Sequence, residues 1–140
     1  MWLSGLLSLV LSLNPGAGEP VLLRAIALLG SPYRFGGLSV EQGFDCAGFV
    51  RYSYQAVGIQ LPRTSESQYH AGSPVDRANL LPGDLVFFRN TYKRGISHVG
   101  MYLGDGRFIH AASTRRDVSV DRLDQPYFSA RFAGARRILP

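Results

Sequence analysis

Ser97-His98-Val99-Gly100-Met101-Tyr102-Leu103-Gly104-Asp105-Gly106-Arg107-Phe108-Ile109-His110-Ala111 reads as two strands joined through Gly104-Asp105-Gly106, since a glycine-rich turn between alternating apolar runs is a hairpin signal. Side chains along a strand alternate between faces. Val99, Met101, Leu103, Ile109 and Ala111 then form one apolar face, and His98, Gly100, Tyr102, Phe108 and His110 share the other. A three-residue loop sets His98 opposite Ala112 and His110 opposite Gly100, whereas a two-residue loop shifts the register by one and separates the histidines. The apolar grouping selects the three-residue loop. Both imidazoles then project from one face as diagonal neighbours, roughly 7–8 Å apart at the backbone. The glycine opposite His110 leaves room for its ring.

Working outward, Leu81-Pro82-Gly83-Asp84 is a turn feeding a buried strand, Leu85 to Phe88. Val118 to Val120 and Arg137 to Leu139 supply further short strands. Upstream, Val21, Leu22, Ala25, Ile26, Leu28 and Leu29 fall at helical spacing, with Gly30 as the stop. A second helix runs from Asp45 to about Val57, its apolar stripe made of Cys46, Phe49, Val50, Tyr54 and Val57. Pro62 to Gly72 is a polar loop with a short helix at most. Helices early and strands late predict an α+β fold, with N-terminal helices packed on a central antiparallel sheet.

The single cysteine, Cys46, falls in the first turn of that second helix, directly after Asp45, a residue type suited to the N-cap. Amide hydrogens and the helix dipole stabilise a thiolate there, predicting a depressed thiol pKa, and the same amides can hold an oxyanion. Gly48 leaves space on the helix surface for a substrate. The plain alternative is a thiol that only packs in the apolar stripe. A nucleophilic thiol needs a base and an orienting partner, which His98 and His110 can supply; His70 lies in the polar loop and reads as a solvated surface residue. Two histidines on one sheet face also arise by chance, so the pair alone is suggestive.

The chain has 140 residues, 46% hydrophobic and 18% charged, which suits one domain, 19–140, and not two. The net charge of +5 favours polyanionic partners, the acidic polymers of a bacterial wall among them. The late arginines are interrupted by Asp117, Asp121 and Asp124 without an aromatic-studded RNA-binding signature, so nucleic acid is not expected as a partner. Residues 1–18 combine an apolar run with small residues at Gly16 and Gly18, reading either as a secretory signal or as a buried or interfacial amphipathic segment. The run is too short to span a bilayer comfortably. Export to the periplasm or outside the cell is the expectation taken, with no membrane span in the mature domain, and a monomer.

Several stretches together resemble the NlpC family of papain-like cell-wall cysteine peptidases. They are Pro32-Tyr33-Arg34-Phe35-Gly36-Gly37, Gly43-Phe44-Asp45-Cys46-Ala47-Gly48-Phe49-Val50, Leu61-Pro62-Arg63-Thr64-Ser65 with Gln68, Leu81 to Phe88, Ser97 to Gly104 and Phe108 to Ala111. The resemblance implies the papain-like fold and a Cys46–His98–His110 triad. It also implies Tyr33 as an oxyanion donor, and Asp45, Arg63 and Ser65 beside the substrate groove. The implied substrate is the stem peptide of peptidoglycan, cut between D-glutamate and the diamino acid through a thioacyl intermediate, without metal or other cofactor. Ala47 stands where the family usually has Ser, which bears on substrate preference. Three other readings are weighed against this one. A zinc site lacks close-spaced ligand pairs and a fourth ligand. A catalytically silent wall-binding module would not need all three triad positions filled. An amidase or acyltransferase would share the thiol chemistry and act on another bond.

Overall fold

Helix α1, Glu19–Ala27, begins with an acid and a proline in its first turn and carries Arg24 in its last, as the helix dipole favours. It buries Val21, Leu22, Ala25 and Ile26 and is followed by a turn through Gly30 at φ 87°. The structure, a computed structural model, describes residues 18–139. All of the segment read as an export signal except Gly18 therefore lies outside the described residues. Among the described residues no helix is long and apolar enough to cross a membrane.

Two short strands, β1 (Leu38–Ser39) and β2 (Gly43–Phe44), pair with each other and deliver the chain to α2, Cys46–Tyr54. The sequence predicts one helix to Val57; instead a 3-10 turn takes over at Gln55–Val57, closed by Gly58 at φ 76°. α3, Ser65–Gln68, is a single turn held by a capping box between Thr64 and Ser67. The remaining elements are β3 (Ser73–Val75), β4 (Leu85–Arg89), β5 (Ile96–Gly104), β6 (Arg107–Ala112), β7 (Asp117–Arg122), α4 (Pro126–Arg131) and β8 (Phe132–Arg137). They build one antiparallel sheet in the order β3-β8-β4-β5-β6-β7. The predicted α+β class holds. The C-terminal strand is displaced: it spans Phe132–Arg137, not Arg137–Leu139, because its pairing with β4 runs from Phe132↔Phe88 to Arg136↔Leu85.

The sheet divides two cores. Val99, Met101, Leu103, Ile109 and Ala111 pack against α1 and α2, together with Phe44, Phe49 and Val50. On the opposite face Val86, Phe88 and Phe108 meet Leu123 and Phe128, the latter on α4. Both faces are therefore covered, and the predicted apolar face is the one the long helices cover.

The hairpin reaches its predicted register by an unpredicted route. Met101 pairs with Ile109 and Tyr102 with Phe108, as a three-residue loop requires. The turn itself is two residues, Asp105 and Gly106, both at positive φ (55° and 74°) as a primed hairpin turn demands. A bulge between Tyr102 and Gly104 absorbs the extra residue. Gly100 is also needed as glycine, because a Cβ there would lie 2.8 Å from the Phe108 ring and 3.1 Å from the His110 Cβ.

Candidate active site

Asp45 caps α2 as expected: its carboxylate accepts from the Gly48 N–H at 2.7 Å, which fixes the helix start and puts Cys46 at the first helical position. The same carboxylate is held by Arg63 in a two-pronged pair at 3.1 and 2.9 Å. Gly48 does not open a path for substrate. It is buried, and a Cβ there would come 2.3 Å from the Gly37 carbonyl oxygen, so its role is close packing of the loop onto the helix.

Cys46 is 9% exposed, packed at the margin of the helix-side core, yet it lines a narrow cavity of about 30 Å³ with Tyr33, His98 and His110. Burial pushes its thiol up to about 11, against a smaller opposite pull from the backbone N–H groups of Val99, Ala47 and Cys46 itself. The expected depression by the helix start is thus present in kind but outweighed by desolvation. His98 is held well below its ordinary 6.5 by burial and by His110 beside it. Both shifts favour the uncharged forms, thiol on one side and imidazole on the other.

The histidines meet as the hairpin register requires, with Nε2 of His98 2.7 Å from Nδ1 of His110. His110 is 1% exposed, and its Nε2 lies 2.8 Å from Oδ2 of Asp121. Burial lowers the His110 pKa, and Asp121 only partly offsets it. Burial alone would raise the Asp121 carboxyl, but hydrogen bonds from His110 and Arg115 hold it down to about 2. Asp121 is the residue that the sequence analysis missed. A signal existed in the alternation Asp117-Val118-Ser119-Val120-Asp121, which aims its polar residues at the histidine face once Ser119 pairs with His110.

Tyr33 is half-buried, and burial followed by Cys46 and Asp45 pushes its phenol up to about 12, so it is a donor at any working pH. Two depressions flank the thiol cavity. One, about 80 Å³, joins Cys46 to Asp45, Arg63 and Ser65; the other, about 540 Å³, runs from Tyr33 past Arg34 and Arg116. All seven residues singled out in the sequence therefore line either the thiol cavity or the smaller depression that shares Cys46 with it. Ala47 also lines the smaller depression, and its carbonyl accepts from Gln68 Nε2 at 3.2 Å. His70 is exposed and away from the groove. Among the described residues no group of three or more His, Cys, Asp and Glu is arranged to hold a metal ion.

A helix that presents a thiol beside two imidazoles on an antiparallel sheet defines the class of papain-like thiol-enzyme domains. Residues 30–137 match the NlpC/P60 family, and the chain belongs to that family. It is 46% identical over 122 residues to the gamma-DL-glutamyl hydrolase of Bacillus subtilis, covering 86% of this chain and 29% of that protein. It is 41% identical over 114 residues to the murein DD-endopeptidase MepH of Escherichia coli, covering 79% of this chain and 42% of that protein. Against the gamma-D-glutamyl-L-lysine dipeptidyl-peptidase of Bacillus cereus the identity is 43% over 125 residues, 89% of this chain and 37% of that one. The chain thus spans less than half of each of these relatives. Among solved structures, an NlpC/P60 family protein from Bacillus cereus superposes with a TM-score of 0.83 at 40% identity, over 89% of this chain and 41% of its own. The peptidoglycan hydrolase RipB from Mycobacterium tuberculosis gives 0.76 at 33%, over 88% and 65%.

Proposed function

We propose that residues 19–140 form a cysteine endopeptidase that hydrolyses the stem peptides of peptidoglycan through a thioacyl intermediate. The observation that carries this reading is the convergence of Cys46, His98 and His110 on one cavity, with the imidazoles hydrogen-bonded at 2.7 Å. His98 takes the thiol proton as the sulfur attacks the carbonyl carbon, and His110 orients His98. The Cys46 amide and the Tyr33 hydroxyl donate to the developing oxyanion, each worth about 3 kcal/mol if well aimed. His98 then protonates the leaving amine, and water releases the thioacyl group. Asp45, Arg63 and Ser65 line one arm of the groove for the substrate. Two relatives named for γ-glutamyl bonds support cleavage between D-glutamate and the diamino acid, and one named a DD-endopeptidase supports a second reading, cleavage at a cross-link. Action on wall material supports a location in the cell envelope or outside the cell.

Mass spectrometry of muropeptides released from purified sacculi tests both readings. New ends at D-glutamate support the first, and resolved cross-links support the second. Release by Cys46→Ala equal to wild type removes the nucleophile. Alkylation of Cys46 by iodoacetamide should be slow at neutral pH and keep rising toward alkaline pH, since the thiol rests near 11. A rate already level at mildly acidic pH would show a resting ion pair instead.

A further inference from the structure

A histidine pair by itself is ambiguous. Either ring can donate across the contact between His98 Nε2 and His110 Nδ1, and the two choices give His98 opposite tautomers. The second nitrogen of His110 resolves the choice, because it faces Oδ2 of Asp121 at 2.8 Å and both side chains are buried. The other neighbours of that carboxylate are donors as well. Arg115 gives Nη2 to Oδ1 at 2.7 Å and Nε to Oδ2 at 3.2 Å, and Gln125 Nε2 reaches Oδ1 at 3.3 Å. An ionised carboxylate can only accept. The His110 proton is therefore on Nε2, its Nδ1 offers a lone pair, and His98 must present Nε2–H to it. Nδ1 of His98 is left as the basic nitrogen.

We propose that Asp121 is a positioning residue that locks both imidazoles in the Nε2–H tautomer, so that Nδ1 of His98 receives the Cys46 proton; this rests on the peptidase reading above. As the S–H bond breaks, its electron pair forms the C–S bond and the proton joins His98 Nδ1. The imidazolium formed there donates from Nε2 to His110, which donates from Nε2 to Asp121. Positive charge is met by a fixed negative one while both Nε2 protons stay where they are. The groups facing the pair are Asp121, Asp117 and Arg115 from β7 and the link before it, and Cys46 with Asp45 at the start of α2. The phenols of Tyr33, Tyr92 and Tyr127 complete the surround. β4 presents the uncharged ring of Phe88, 5.9 Å from His98, and α4, besides the Tyr127 phenol, presents that of Phe128, 5.5 Å from His110.

Imidazole-nitrogen NMR on protein carrying isotope-labelled histidine tests the lock without any substrate. In wild type at neutral pH both His98 and His110 should carry the proton on Nε2; a proton on His98 Nδ1 overturns the proposal. In Asp121→Asn the amide can turn an N–H toward His110 and invert both tautomers. kcat on stem peptides should fall about 100-fold or more, with KM moved less than about threefold. The acid limb of kcat/KM should shift to lower pH, because a negative charge that favours protonated rings is gone. Wild-type tautomers in that variant, or an acid limb moved upward as unfolding would move it, overturn the role. If the variant does not fold, the wild-type tautomers decide alone. A protein that shows the lock but cleaves no stem peptide ends the peptidase reading only; an active enzyme with His98 protonated on Nδ1 ends the lock only.

Discussion

Two buried aspartates, Asp84 in the turn before β4 and Asp121 within the edge strand β7, have similar surroundings. Each side chain is 3% exposed, and each is gripped by two nitrogens of a surface arginine, Arg137 at 2.9 and 2.8 Å and Arg115 at 3.2 and 2.7 Å. They differ in the third donor. Asp84 accepts from the Leu81 N–H at 2.8 Å, closing the turn before β4, and from groups that keep their protons throughout the working range. Asp121 accepts from an imidazole that also touches His98. The same buried pair thus fixes backbone in one place and fixes protons in the other. What separates them is whether one donor can titrate.

The largest effect expected on this contrast is from His110→Ala, which removes the feature that makes Asp121 unlike Asp84. Turnover should fall about 100- to 1,000-fold with substrate affinity little changed, by steady-state kinetics on stem peptides. A loss confined to KM would remove the orienting role. Asp84→Asn should cost about 2–3 kcal/mol of stability by denaturant unfolding, because a buried network loses its acceptor for an arginine and a turn amide. Its pH–rate profile should match wild type, and a displaced profile would make the two aspartates equivalent.

The next effect is on acid stability. Both histidines have folded-state pKa values below 6.5, so the unfolded chain binds protons first as pH falls. Stability should therefore decline from about pH 6.5 downward, by at most about 1.4 kcal/mol per pH unit for each histidine. Asp121 works in a lower window, because its folded pKa is depressed to about 2 from 3.8. Its contribution is complete above about pH 4 and is lost as pH falls from there toward 2. His110→Ala should flatten the upper decline, whereas Asp84→Asn should leave it in place; thermal melts across pH read both. The smallest effect is that of Arg115→Gln. Arg115 is 53% exposed and Asp121 keeps His110 and Gln125, so kcat should stay within about threefold of wild type. A loss as large as that of Asp121→Asn would mean that the arginine sets the carboxylate's charge.

Much of the site could be read from one strand pair because alternation constrains every residue on it. The face shared by His98 and His110, the glycine opposite His110 and the cap at Asp45 all follow from local rules. The bulge was hidden because a two-residue turn plus one extra strand residue gives the same pairing as a longer loop. Asp121 was hidden because its place depends on the register of β7 against β6. That register is set across residues 113–116, which include Arg116 at φ 66°, and composition does not specify such a link. The thiol was misjudged for a different reason. Helix-start electrostatics are visible in sequence, whereas the desolvation that outweighs them depends on how the core closes over Cys46. α4 escaped notice as a six-residue helix without a side-chain cap, although its Phe128 seals the second core.

The bulge in β5 makes this hairpin intolerant of length change at an unexpected spot. Trimming a residue from a surface turn usually costs little, but losing one between Tyr102 and Gly104 would invert the facing of every upstream side chain in the strand. His98 would swing to the side where Val99 now packs, and the valine would take the groove. One extra amino acid in the strand acts as the reading frame in which the imidazole pair exists.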